Sequence, residues 1–159
     1  FPLETLVWSS TLTALFNLAV GLIAFFIFYV IREGAPPTSA WAAPLLLIPH
    51  ATMVLGIGFW LAATGVYVRD LRLVVAPVTT LLMFLGPVFY SLANVPARAR
   101  AFILANPITV PLGEISNALF RNAWPDPMMT ALYTLAAIVV AVSGHAWFQH
   151  TRDGFADVV

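Results

Sequence analysis

The stretch "LAATGVYVRDLRLVVAPVTTLLMFLGPVFYSLANVPARARAFILANPITVPLGEISNALFR", residues 61–121, decides the fold. It begins inside an apolar run, turns on Arg69-Asp70-Leu71-Arg72, and re-enters an apolar run at Leu73 that lasts to Ala93. A bilayer core of about 30 Å is crossed by roughly 20 mostly apolar helical residues, so a tight charged turn between two such runs reads as a helical pair in a membrane. After Ala93 the pattern changes. From Asn94 to Pro127 the chain is broken by Pro96, Pro107, Pro111, Pro125 and Pro127, and its apolar pieces, Ala101 to Ala105 and Leu112 to Phe120, are each too short to span. Short apolar helices of this kind are interfacial or re-entrant elements.

Working outward, four stretches are long enough to cross: about residues 6–31, 41–68, 73–93 and 128–148, with the re-entrant segment at about 97–122. None holds Asp, Glu or Arg in its interior, where each would cost about 2.5–3.5 kcal/mol on insertion scales. "REGAPPTSA" (Arg32 to Ala40) is a polar turn whose paired prolines cannot continue a helix. The fold class is therefore an all-α membrane protein. Four crossings place both termini and the Arg69–Arg72 turn on one side, and the Arg32 turn and the Pro-broken segment on the other. Arginine counts leave the orientation open, with Arg69, Arg72 and Arg152 against Arg32, Arg98, Arg100 and Arg121. Pro44, Pro49, Pro77 and Pro87 predict kinks, and Gly56, Gly58 and Ala62 put small residues on the second span, with Gly58 and Ala62 four apart, a spacing that permits close helix approach. No internal repeat is visible.

Composition agrees. Of 159 residues 61% are hydrophobic and 9% charged, with a mean hydropathy of +0.93; soluble domains carry about 25% charge. Seven acidic residues balance seven arginines with no lysine, which excludes the basic footprint of a nucleic-acid binder. Cysteine is absent, so disulfides, thiolate metal sites and cysteine nucleophiles are excluded. The chain opens at Phe1 with no initiator Met and no basic leader, and reads as part of a longer protein.

Several motifs in order carry a resemblance. A span ends in "V-Y-x-R-D-L" (Val66 to Leu71), and the next ends in "G-P-V-F-Y" (Gly86 to Tyr90). "V-P" (Val95, Pro96) then opens a short helix that ends at "N-P" (Asn106, Pro107), and the tail reads "F-A-D-V" (Phe155 to Val158). Together with the opening "F-P-L-E" (Phe1 to Glu4), this resembles the permease subunits of type-2 ABC exporters, in the branch that exports O-antigen, capsular polysaccharide and teichoic acid. The resemblance implies a six-span permease of which these four spans are the third to sixth. It also implies an external re-entrant hairpin and a cytoplasmic Arg69–Arg72 turn. It implies a homodimer with two ATP-binding cassette subunits, carrying a lipid-linked glycan across the inner membrane among membrane lipids.

The chain itself holds no cofactor motif: a phosphate loop ending in Gly-Lys-Ser/Thr is impossible without lysine, so ATP falls to a separate subunit. Arg69, Asp70 and Arg72, with the tail from Arg152 to Asp157, are the candidate contact to that ATPase; the plainer reading is that they cap helices near headgroups. Phe59, Trp60, Tyr67, Phe89 and Tyr90 are the candidate substrate path, because sugar C–H faces stack on rings; the plainer reading is interface anchors and packing. In the hairpin, Asn106-Pro107 reads as a turn between two short helices. Glu114 and Arg121, seven apart, share a helical face and form a surface pair or meet polar headgroups.

Rival classes are a drug or small-lipid exporter of the same fold, a secondary transporter and a membrane enzyme. Against an enzyme, His145 and His150 are five apart and so on different faces, which suits no metal pair, and no buried carboxylate accompanies them. His50, inside the second span, is the one intramembrane ionisable group a proton-coupled carrier could use; its plainer reading is a hydrogen-bonded bundle residue.

Overall fold

The computed structural model describes residues 4–87, 90, 94–152 and 154. Every regular element among them is helical: α1 (Glu4–Glu33), a 3₁₀ turn (Thr38–Trp41), α2 (Ala42–Tyr67), α3 (Leu71–Leu85), α4 (Ala97–Leu104), α5 (Thr109–Phe120) and α6 (Pro127–Thr151). Three stretches are long and apolar enough to cross a membrane, namely Glu4–Glu33, Thr38–Tyr67 and Pro127–Thr151. Helices suit such sequences because they satisfy every backbone N–H and C=O internally, where lipid offers no partner.

The boundaries follow local chemistry. Gly34, with φ +86, ends α1 by donating its N–H to Val30 O at 3.1 Å, a left-handed cap that suits glycine. Asp126 starts α6: its carboxylate accepts from the N–H groups of Met128 (2.8 Å) and Met129 (3.1 Å), and Pro127 fills the first helical position. The span expected at 73–93 is helical only to Leu85, where Gly86 and Pro87 follow. Fifteen residues rise about 22 Å, short of a ~30 Å core. Residues 88, 89 and 91–93 of that expected span, and the family-like tail at 155–158, lie outside the described residues.

α2 is the hub, packed most extensively against α6, then against α5 and α1. The α2–α6 seam is parallel, since Met53 meets Tyr133, Gly56 meets Ala141, Trp60 meets Ser143 and Tyr67 meets Thr151. A Cβ built on Gly56 would lie 2.5 Å from Ala141 N, and one on Gly144 would lie 2.8 Å from Trp60 Cδ1. The two backbones are therefore in direct contact, as small residues allow between membrane helices. The sequence offered Gly56, Gly58 and Ala62 as the small residues of this span and pointed to the Gly58–Ala62 spacing for close approach. Gly58 instead faces Val7 of α1, whose Cγ1 would lie 3.3 Å from a Cβ built on the glycine, and Ala62 packs against the cluster of Val7, Phe59, Ala63 and Phe148.

The ends sort as the turns require. At one end Gln149 Nε2 donates to Glu4 Oε1 (2.6 Å), Arg152 pairs with Glu4 (3.4 Å), and Tyr67 Oη donates to Thr151 O (2.9 Å). The start of α1, the end of α2 and the end of α6 meet there. At the other end Tyr29 and Ser39 meet the end of α5. Two parallel helices joined in one chain need a return stroke between them, and α3 with the α4–α5 hairpin makes it.

Candidate functional site

Two regions hold the residues singled out by the sequence. The first is the α2–α3 turn. Leu71 N donates to Val68 O (3.1 Å) and Leu73 N to Asp70 O (2.9 Å), which closes the turn tightly. Asp70 precedes α3 without a side-chain cap bond, and Arg72 Nε reaches Arg69 O at a long 3.4 Å. All three charged residues are exposed, and among the described residues neither guanidinium meets a carboxylate. Beside them α2 and α3 splay into an apolar groove of 510 Å³ walled by Leu61, Gly65, Val75 and Ala76 together with Arg69 and Arg72. The structure brings these charges together at the end where α1 begins and α6 finishes.

The candidate path aromatics do not converge. Phe59 is 2% exposed and packs edge-on against Phe148 (5.5 Å) and His145 (5.1 Å), so it is a core residue and not part of a lining. Trp60 stacks on Trp147 (5.5 Å, 18°) and donates its indole N–H to Ser143 Oγ at 3.2 Å, bracing the seam from its rim. Tyr67 closes the α2 and α6 ends through Thr151, and Tyr90 donates locally to Leu85 O. Phe89 lies outside the described residues. Ring type alone could not separate these roles, because a step of one residue, about 100° around the helix, moves a side chain from core to rim.

The second region is the hairpin. α4 and α5 are joined through Asn106-Pro107, as the sequence suggests, but Asn106 does more than turn. It is 3% exposed; its Nδ2 donates to Leu82 O at the end of α3 (2.6 Å) and its Oδ1 accepts from Ile108 N (3.1 Å). One amide thus ties a helix C-terminus to the opening of α5, where backbone groups lack partners of their own. Pro107 O accepts from Tyr133 Oη (2.8 Å), and Tyr133 Oη lies 3.0 Å from His50 Nδ1. Beside this junction a cleft of 390 Å³ is walled by Met53, Leu104, Pro107, Val110, Met129 and Tyr133.

The far end of α5 is held the same way. Its last carbonyls receive hydroxyls, Tyr29 Oη to Leu119 O (2.8 Å) and Ser39 Oγ to Ala118 O (2.6 Å), while Asn122 takes φ 49 to leave the helix. Glu114 accepts from Asp126 N at 2.9 Å, so it holds the start of α6. It does not pair with Arg121: the two ion pairs among the described residues are Arg32–Glu33 and Arg152–Glu4. Arg121 sits past the end of α5 with φ −115 and ψ 0, off the face the spacing implied.

Tyr29, Ser39 and Tyr133 were not singled out by the sequence. The available signal was a hydroxyl set in an apolar run, which must find a partner once buried. His50 is placed as a hydrogen-bonded bundle residue, and His145 lies against Phe59 and Gln149.

Residues 2–120 match the protein family described as ABC-2 type transporter. The chain is 25% identical over 161 aligned residues to the O-antigen export system permease protein RfbA of Myxococcus xanthus. That match covers 100% of this chain and 62% of the relative, so the chain spans less than two thirds of the curated protein it resembles.

Proposed function

Because this chain belongs to the ABC-2 type transporter family, we propose that it is the membrane-spanning part of an ATP-driven exporter that moves a lipid-linked polysaccharide of the O-antigen, capsule or teichoic acid type across the inner membrane. The observation that carries this reading is the match to an O-antigen export permease along the whole chain. On this reading the crossings are α1, α2 with its 3₁₀ turn, α3 with the residues that follow it, and α6, the third to sixth of six. The α4–α5 hairpin is the external re-entrant element.

The work comes from outside the chain. With no lysine it has no phosphate loop of its own, so a separate ATP-binding cassette subunit, in two copies on a permease homodimer, binds and hydrolyses ATP. Such a partner drives transport only by binding the two states of the permease differently. Arg69, Asp70 and Arg72 are the proposed contact: exposed, charged, and set on a tight turn that transmits force from α2 to α3. The substrate path proposed here runs past the aromatic residues Trp60, Tyr67, Phe89 and Tyr90, with the hairpin at its exit.

The test uses the full-length gene product co-expressed with its neighbouring genes and purified in mild detergent. A Walker-motif ATPase should co-purify at one to one, and Arg69→Glu or Arg72→Glu should reduce its recovery several-fold without changing the permease yield. Absence of any ATPase would sink the exporter reading. An ATPase retained by both variants would keep the exporter and remove the contact from this turn.

A further inference from the structure

We propose that the Tyr133 hydroxyl is a latch holding the α4–α5 hairpin against α2 and α6, and that His50 decides whether the latch is engaged. Its bearing on export rests on the function proposed above, but the latch itself does not.

The argument is one of hydrogen counting. A phenol has one hydrogen to give, and its oxygen can also accept. Pro107 O can only accept, and at 2.8 Å it takes the Tyr133 hydrogen. The contact from His50 Nδ1 to the same oxygen, at 3.0 Å, must then run the other way, with an N–H on Nδ1 donating. The geometry therefore fixes the His50 tautomer, because the ring nitrogen that carries hydrogen is set by the bond its surroundings offer.

The alternative tautomer, with hydrogen on Nε2, turns Nδ1 into an acceptor. His50 and Pro107 O then compete for a single hydrogen, and the loser keeps an unserved lone pair in an apolar interior, which is costly. Two arrangements of the same atoms result. In one, Tyr133 bonds the hairpin; in the other, it bonds α2 and frees the apex.

Three observations make the apex the right place for such a device. Asn106, adjacent in sequence, carries the bond to Leu82 O, so movement there reaches α3. The 390 Å³ cleft beside the junction gives the apex room to shift. Met53 and Met129 wall that cleft, and their unbranched side chains repack at low cost.

The experiment uses the full-length protein in lipid nanodiscs and two readouts. Nitrogen-15 spectra of labelled histidine, with the His50 signals identified by their loss in His50→Gln, should show hydrogen on Nδ1 in the wild type. In Tyr133→Phe they should shift toward the Nε2–H form. Dipolar distances between spin labels on Phe102→Cys and Ile138→Cys, made in a background where any cysteine outside these 159 residues is replaced by serine, should gain a longer population in Tyr133→Phe. His50→Phe, which offers no competing acceptor, should keep the wild-type distance.

A wild-type Nε2–H tautomer overturns the proposal, and that holds even if Tyr133→Phe fails to fold. Unchanged distances in Tyr133→Phe overturn it too, as does a longer population in His50→Phe. A latch seen in a protein that exports nothing would leave this inference standing and remove the function proposed above.

Discussion

The α2–α6 seam and α5 of the hairpin both pack against α2, yet they are held by different means. The seam is held by shape: Gly56 and Gly144 bring backbones together, and Phe59, Ala63, Ala137 and Phe148 fill the remainder with almost no exposure. Its polar bonds lie outside that packed stretch, at Trp60–Ser143 and Tyr67–Thr151 toward one end and at His50–Tyr133 toward the other, where the seam meets the hairpin. The hairpin is held by points: Asn106 and Pro107 at the apex, Ser39, Tyr29 and Glu114 farther along. Close packing is forfeited by displacements well under an ångström, because dispersion falls off steeply. A hydrogen bond can be broken and remade elsewhere at little net cost. The seam is built to stay and the hairpin to be moved.

The most damaging way to break this contrast is at the seam. Gly56→Leu puts a branched side chain where even a Cβ lies 2.5 Å from Ala141 N. Overpacking costs roughly 1–3 kcal/mol where neighbours can yield, and here the neighbour is backbone. The expected result is loss of monodisperse protein on size-exclusion chromatography; a well-behaved variant with an unchanged melting temperature would deny that the seam is rigid. Asn106→Ala comes next. It leaves Ile108 N without its acceptor and cuts the tie to Leu82 O, which keeps only Gly86 N, a cost of about 1–3 kcal/mol. Faster amide exchange should appear at Ala105 to Val110 and the end of α3, with α2 and α6 unchanged. The mildest is Ser39→Ala, which removes one bond to Ala118 O. Membrane hydrogen bonds average about 0.6 kcal/mol in double-mutant cycles, so a melting shift of a degree or two, with faster exchange confined to the end of α5, is expected. A larger effect from Ser39→Ala than from Asn106→Ala would reverse the order of attachment.

The sequence made the helices legible because apolar length and proline placement are local signals. The turns at Gly34 and Arg69–Arg72 and the junction at Asn106-Pro107 were readable for the same reason. Partners were not. Gly58 and Gly56 are equally small and two residues apart, hence on nearly opposite faces of α2, and only the position of α6 selects Gly56. Phe59 and Trp60 are adjacent aromatics, yet one is core and the other rim. Glu114 and Arg121 fit a pairing rule that assumes one continuous helix, and α5 stops at Phe120. Tyr133 escaped notice because a lone phenol in an apolar run signals only that it needs a partner, not which one.

The meeting of Glu4 with Gln149 and Arg152 makes the described chain a closed excursion, leaving and returning to one doorway. Glu4 is the rivet of that doorway: one carboxylate oxygen takes both the Gln149 amide and the Arg152 guanidinium. A tug on the last turn of α6 is therefore felt at the first turn of α1, although 145 residues of chain separate them.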